Sequence, residues 1–64
     1  MTDLDTSPRL EEPDAVFSAL IAAHAGLDPA QSRDLDARLV LLLANQIGNT
    51  AIIMAAIAEA RRTI

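Results

Sequence analysis

The chain has no cysteine and only one histidine, His24, among its 64 residues. Disulfide bonds and thiolate metal sites are therefore excluded, and so is a zinc site built from several histidines. A chain this short buries a small fraction of its surface, so such domains usually gain stability from a disulfide, a metal or a partner subunit. Two sources of stability remain for this chain, which are close packing of its own helices and contact with another subunit.

The apolar residues favour helices over strands. Phe17 is the only aromatic residue, and the other apolar residues are Ala, Leu, Ile, Val and Met. Ala, Leu and Met are good helix formers, whereas strands favour aromatic and β-branched residues. The β-branched pair Ile52–Ile53 is the one conflict, and it lies in an alanine-rich context. The composition therefore predicts an all-α fold.

Proline, glycine and capping residues mark the ends of three predicted helices. Pro13 suits a first helical position, while Gly26 and Gly48 can take the left-handed conformation that stops a helix. The segment Asp28–Gln31 has the arrangement of a capping box, and Asn49 is the expected cap of the third helix. The predicted helices span about residues 13–25, 29–47 and 50–62.

These helices are expected to form one domain at residues 13–64, preceded by an extended, flexible acidic arm at residues 1–12. Proline at positions 8 and 13 disfavours helix at the residue before each of them, and chain termini are generally mobile. The connections between the helices are very short, which places sequential helices side by side. We therefore predict a compact three-helix bundle with an acidic arm.

The net charge of −4 is confined to the N-terminal segment. Residues 1–14 hold five acids and one arginine, whereas residues 15–64 hold four acids and four arginines. A neutral body with an acidic arm offers no positive surface to a phosphate backbone, so we expect no nucleic-acid partner. The acidic N-terminus does not resemble a signal peptide, and the longest apolar runs fall well short of the roughly 20 residues that span a bilayer. We expect a cytoplasmic protein that does not enter the membrane.

The second predicted helix is apolar over more than half of its circumference when its residues are projected at about 100° each. One face carries Leu35, Leu39, Leu42 and Leu43, the side next to it carries Val40, Ala44 and Ile47, and Leu41 lies apart from both. A helix this apolar is central in its fold or contacts another subunit, and two neighbouring helices cannot cover it fully.

The third predicted helix has a narrower apolar stripe. The stripe consists of Ile53, Ile57, Ala60 and Ile64, with Met54 on one flank, Ile52 and Ala56 on the other, and Glu59 and Arg62 facing away. Together the two helices predict an interface with a homodimeric or heteromeric protein partner. We place four residues nearest to that interface, namely Leu41, Asn45, Ile52 and Met54.

The residues that could carry chemistry do not form a catalytic set. His24 could act as a base, but no Ser, Cys or second His is placed to complete a site, so the simpler interpretation is a histidine bonded to a carbonyl at the helix end. Gln46 projects into the apolar face of helix two, where it either sets the register of an interface or reaches a backbone carbonyl. The acidic clusters at residues 11–14 and 34–36 lack a pocket. We therefore predict a non-enzymatic protein without a catalytic, cofactor or metal site.

Several segments of the chain together resemble a known family. The segments that carry the resemblance are Leu39–Gly48, Pro13-Asp14, Leu20–His24 and Gly26-Leu27, within a region from about Leu10 to Arg61. They resemble a family of short bacterial helical proteins of unknown function. The stretch matching Arg38–Gly48 is the most characteristic, and an acid often follows its glycine, where this chain has Asn49. The family supplies no site residues, and the resemblance implies a small helper subunit beside a flavin-dependent or other oxidative enzyme.

Two hypotheses of function follow. The first is a protein–protein interaction module that associates with itself or docks as a helper subunit on a larger, oxidative enzyme. The alternative is a binder of a small apolar ligand between the helices, with His24 or Gln46 holding its polar end.

Overall fold

The computed structural model describes residues 4–64, and these residues form three α-helices preceded by an irregular segment. Helix α1 spans Pro13–His24, α2 spans Pro29–Ile47 and α3 spans Thr50–Arg62. The described residues contain no strand, so the prediction of an all-α fold is confirmed. Over residues 4–64, no helix combines the length and the apolar character needed to cross a membrane.

Helix α2 begins with the capping box that its sequence indicates. The side chain of Asp28 accepts a hydrogen bond from the backbone N–H of Gln31 at 2.8 Å, and the Gln31 side chain accepts one from the backbone N–H of Asp28 at 3.1 Å. These bonds satisfy two backbone donors near the helix start, and Pro29 in the first turn has no donor to satisfy.

Helix α2 ends in a turn of two residues that leads directly into α3. Gly48 has a φ of 71° and donates its N–H to the carbonyl of Ala44 at 2.9 Å, while Asn49 Oδ1 accepts from the N–H of Ile52 at 3.1 Å. A positive φ is strained for residues with a Cβ, so glycine is the natural residue at this stop. The short turn makes α2 and α3 sequential neighbours.

The end of α1 differs from the prediction by one residue. We expected helix as far as Ala25, but Ala25 is extended, with φ −61° and ψ 132°, and the helix ends at His24. Gly26 takes the positive φ of 78° one residue later, so the chain leaves the helix before the left-handed residue rather than at it. At the other end, Glu12 makes no side-chain capping bond and only its carbonyl accepts, from Val16 N–H at 3.2 Å.

The described part of the acidic arm, residues 4–12, is irregular and has local order of its own. The Asp5 carboxylate accepts hydrogen bonds from the backbone N–H and the hydroxyl of Ser7, and it lies 3.8 Å from the Arg9 guanidinium. The Ser7 bonds, with a smaller contribution from Arg9, hold the pKa of Asp5 below its ordinary value. Residues 1–3 of the predicted arm lie outside the described residues.

The helices are loosely packed. No residue in the described part of the chain is buried, and the accessible surface is 5705 Å², compared with about 4,000 Å² expected for a folded protein of this mass. The radius of gyration is 13.4 Å, compared with about 10.7 Å for a compact chain of this length. The close packing that we predicted for the bundle is therefore not confirmed in the single chain.

Candidate interaction surface

Residues 39–58, which run from the middle of α2 through the turn and into α3, contain no ionisable side chain. We call this segment the uncharged corner. Its large apolar residues are mostly exposed, and the exposed ones are Val40, Leu41, Leu42, Leu43, Ile47, Met54 and Ile57. Large apolar residues exposed in this number along one segment commonly mark a contact with another molecule.

Helix α3 leaves most of its apolar stripe exposed, but Glu59, which was predicted to face away from the stripe into solvent, is half-buried. Ile57, in the centre of the stripe, is 58% exposed, whereas Glu59 on the opposite side is half-buried. The half-buried positions of this helix are Ile52, Ile53, Ala55 and Glu59. Within the stripe, only Ile53 is half-buried by the chain itself. The other stripe residues stay available to a partner.

Glu59 remains satisfied in its half-buried position. Its carboxylate accepts a hydrogen bond from Arg62 Nε at 2.9 Å, one turn along α3, and this bond holds the pKa of Glu59 below its ordinary value. Ion pairs of this kind along one helix contribute only a few tenths of a kcal/mol. The Glu59–Arg62 pair is therefore too weak to explain why the apolar side of α3 is exposed.

Helix α2 is half covered mainly along its N-terminal part, and Ala44 is the one half-buried residue beyond Leu39. Leu35 and Leu39 are half-buried, as are Leu20 and His24 of α1, whereas Leu42 and Leu43 are exposed. The difference follows from length, because the 12 residues of α1 span about 18 Å and the 19 residues of α2 span about 28 Å. The C-terminal part of α2 therefore extends past its shorter neighbour.

The four predicted interface residues do not form a single patch. Leu41 is 71% exposed, Met54 is 62% exposed and Asn45 is also exposed, but Ile52 is half-buried by the chain itself. Leu41 and Asn45 lie one turn apart on α2, whereas Ile52 and Met54 point to nearly opposite sides of α3 at 100° per residue. A partner could contact Leu41, Asn45 or Met54 directly, but Ile52 belongs to the inner side of the chain.

Gln46 was predicted to project into the apolar face of α2, where an interface would bury it. In the single chain Gln46 is exposed, because it lies in the part of α2 that extends past α1. Its amide is accessible to solvent there and requires no buried partner. Only contact with another chain could bury it.

His24 links α1 to α2 through two short hydrogen bonds. Its Nδ1 donates to the carbonyl of Leu20 at 2.6 Å and its Nε2 donates to Oδ1 of Asp36 at 2.6 Å, with the imidazole about one-third exposed. Both partners only accept, so both ring nitrogens must carry a proton and the bonded ring is an imidazolium. The Leu20 carbonyl, followed by the Asp36 carboxylate, raises the pKa of His24 above its ordinary value.

The acidic pair at positions 34 and 36 is divided between two partners. Asp34 pairs with Arg38 on its own helix at 3.1 Å, and Asp36 bonds to His24 on α1. The carbonyl bond of His24 was predicted from the sequence, but its link to Asp36 was not, because the two residues are twelve apart and no local rule joins them. Among the described residues, no cluster of three His, Cys, Asp or Glu side chains is arranged to hold a metal ion.

One shallow groove lies where the arm meets α1, and it holds about 510 Å³. Its lining residues are Arg9, Leu10, Glu11, Glu12, Ala15 and Val16. The ligand-binding alternative requires a site between the helices near His24 or Gln46, and neither residue lines this groove. The groove gives that alternative no support.

The sequence profile of a family described as a protein of unknown function, DUF2783, matches residues 4–62. This match covers nearly the whole chain, so the chain belongs to the DUF2783 family, as the resemblance to a short family of unknown function predicted. Comparison with curated proteins and with solved structures gave no match.

Proposed function

We propose that this member of the DUF2783 family is a non-catalytic interaction module, which works by covering its exposed apolar helix faces with another protein chain. The observation that carries the proposal is the open surface. The chain leaves 5705 Å² accessible and buries no residue in its described part, and the large apolar residues of the uncharged corner are exposed. Apolar surface of this kind is the main source of free energy in protein association.

Two kinds of partner fit this proposal. One is a second copy of the chain, and the other is a larger enzyme, for which the family resemblance suggests an oxidative one. In either case the contact would involve Leu41, Asn45 and Met54 on the exposed sides of α2 and α3, and the helices would pack into a compact bundle once that contact forms. We expect this association to take place in the cytoplasm.

The two side chains best suited to exchange a proton are bonded to each other in this structure. His24 and Asp36 are the two groups nearest to an acid–base pair, but their bonds are directed at each other and at a backbone carbonyl, and neither residue lines the described groove. General acid–base catalysis requires such a pair to reach a bound substrate. The pair serves better as a link between two helices.

The test is the mass of the assembly that carries the chain in gently lysed cells that express it, measured by gel filtration under native conditions. We expect the wild-type chain to elute well above 6.8 kDa and Leu41→Glu to elute at a lower mass. Gln31→Glu places the same charge at the start of α2 and serves as the control. A wild-type chain that elutes alone, in folded form, at 6.8 kDa would overturn the proposal.

A further inference from the structure

We infer that the partner of the uncharged corner is a second copy of this chain, docked face to face through the outward stripe of α3 and the C-terminal part of α2. The inference rests on the proposed function and narrows it to one occupant. It commits to the exposed residues Val40, Leu43, Ile47, Met54 and Ile57 as the centre of the contact.

The chain has enough uncovered surface to form an interface with a second copy. The chain exposes about 1,700 Å² more than a folded monomer of its mass should, since 5705 Å² is accessible and about 4,000 Å² is expected. A standard stable interface takes about 800 Å² from each partner, and permanent homodimers take about 1,000 to 2,500 Å². The excess is spread over the whole chain, including the irregular arm, and covering about half of it at the uncharged corner would reach the size of a standard interface.

The lack of charged side chains in the uncharged corner favours contact between two copies. Residues 39–58 carry no ionisable side chain, so two copies meeting there experience no repulsion between like charges. The net charge of −4 lies in residues 1–14, outside the contact. A foreign partner is commonly selected by complementary charge, and the corner offers none for such selection.

The apolar side chains of the uncharged corner are of the types found in protein cores. Interfaces between different proteins that assemble and separate are enriched in Tyr, Trp and Arg, whereas permanent homodimer interfaces resemble a protein core cut in half. The corner contains only Leu, Ile, Val, Met and Ala among its apolar residues, which is core composition without an aromatic or an arginine anchor. It matches the interior of a two-copy bundle.

The amides of the corner also suit a symmetric contact. A two-fold dimer presents the same patch from both sides, so each group on the axis must be complementary to itself. Asn45 and Gln46 are exposed, and each amide carries both a donor and an acceptor. Their placement beside an aliphatic surface is typical of residues that fix the register of packed helices.

The experiment measures the mass of the purified full-length chain by light scattering from low micromolar to millimolar concentration, with helicity followed in parallel. We expect twice the chain mass of 6.8 kDa for wild type and half of that value for Leu43→Glu. Leu43 is already exposed, so its replacement leaves no internal cavity. Ala30→Glu is the matched control, because it adds one acid to the exposed first turn of the same helix, where negative charge is favourable, and should keep the doubled mass.

A second measurement covers the case in which Leu43→Glu fails to fold. The chain has no cysteine, so a single introduced thiol is unique. Met54→Cys should link two copies through a short bismaleimide in high yield, while Ser18→Cys, exposed on α1, should not. Neither substitution adds charge, so helicity should remain at the wild-type value.

Each outcome decides the inference. A doubled mass that Leu43→Glu halves, together with cross-linking at Met54→Cys alone, supports it. A helical wild-type chain that remains at 6.8 kDa at every concentration overturns it, and so does a dimer that Leu43→Glu leaves intact or that Ser18→Cys cross-links equally well. A monomeric purified chain that is found in a larger assembly in cells would leave the interaction module standing with a foreign partner.

Discussion

The Nε2 atom of His24 lies 2.6 Å from Oδ1 of Asp36, and this bond joins the last residue of α1 to α2 across twelve positions of sequence. It is a polar connection between two helices that otherwise bury little against each other. The imidazole must be protonated to donate to Asp36 and to the Leu20 carbonyl together, so the connection depends on pH. Two predictions depend on this relationship.

The pKa of His24 should fall when Asp36 is replaced by Asn, but it should remain above its ordinary value. The largest single contribution comes from the hydrogen bond to the backbone carbonyl of Leu20, which the substitution leaves in place and which exceeds the opposing effect of desolvation, while the Asp36 carboxylate adds a hydrogen bond and its charge. The measurement is an NMR titration of the imidazole signals of the only histidine in the chain. Asp34→Asn, two residues away and paired with Arg38, is the control and should leave the titration unchanged. Equal shifts in both variants would contradict the bond to Asp36.

Stability should decrease as the pH rises above neutral. The pKa of His24 is raised in the folded chain, so the folded state binds the proton more tightly than the unfolded state. The stabilisation is therefore complete below the ordinary histidine value of about 6.5 and is lost as the pH rises through the raised pKa. The measurement is the thermal midpoint followed by circular dichroism at several pH values, with the carboxylates ionised throughout. His24→Gln should show no such decrease, and a decrease of equal size in that variant would assign the effect to another group.

Replacing Gly48 by Ala should lower the free energy of unfolding by about 1 kcal/mol, because the left-handed backbone is strained for a residue with a Cβ. Gly48 has a φ of 71°, and a Cβ placed there meets only the Asn45 carbonyl oxygen, at an ordinary contact distance of 3.8 Å. The cost is therefore conformational rather than steric. Gly48→Asn should cost less, since Asn adopts this conformation more readily. Thermal or urea unfolding compares the variants, and an equal cost for Ala and Asn would contradict the explanation.

Removing the cap of α2 should also cost about 1 kcal/mol, which is typical for loss of an N-cap side chain. Asp28→Ala removes the acceptor that binds the Gln31 N–H at 2.8 Å. Asp28→Ser retains a capping oxygen and is the matched control, which should stay close to wild type. Helicity and the unfolding midpoint provide the measurement, and a loss of similar size in both variants would mean that the charge of Asp28 matters rather than its cap.

The features that the sequence predicted are the local ones. The stop at Gly48 and the caps at Asp28 and Asn49 depend on residues within four positions of each other, and the structure contains each of them. The end of α1 was placed one residue too far because the backbone of Ala25, rather than the glycine that follows, leaves the helix first. Periodicity alone could not have decided between those two residues.

The features that the sequence missed are set by how the helices are arranged. The amphipathic pattern of α3 identified the stripe containing Ile57 as part of an interface and placed Glu59 on the opposite, exposed side. In the structure Ile57 is exposed to a partner, but Glu59 is half-buried. Periodicity identifies an apolar side but does not say which chain covers it, and the contact of His24 with Asp36 is non-local in the same way.

The orientation of α3 leads to a last prediction, in which the cost of a substitution depends on protein concentration. Ile57 is 58% exposed, so Ile57→Ser should change the stability of the single chain by no more than about 0.5 kcal/mol. Leu39 is half-buried within the chain, so Leu39→Ala should lower the unfolding midpoint at every concentration. If a second copy covers the stripe, the unfolding midpoint of Ile57→Ser should equal that of wild type at high dilution. It should fall below the wild-type midpoint as the concentration rises, because only the associated form buries Ile57. Ala58→Ser, on the next residue of the same helix, is the control away from the stripe; it should lower the midpoint equally at every concentration, because serine has a lower helix propensity than alanine. The measurement is the unfolding midpoint of each variant across a dilution series. A midpoint of Ile57→Ser that is lower than that of wild type by the same amount at every concentration would mean that Ile57 is buried by its own chain.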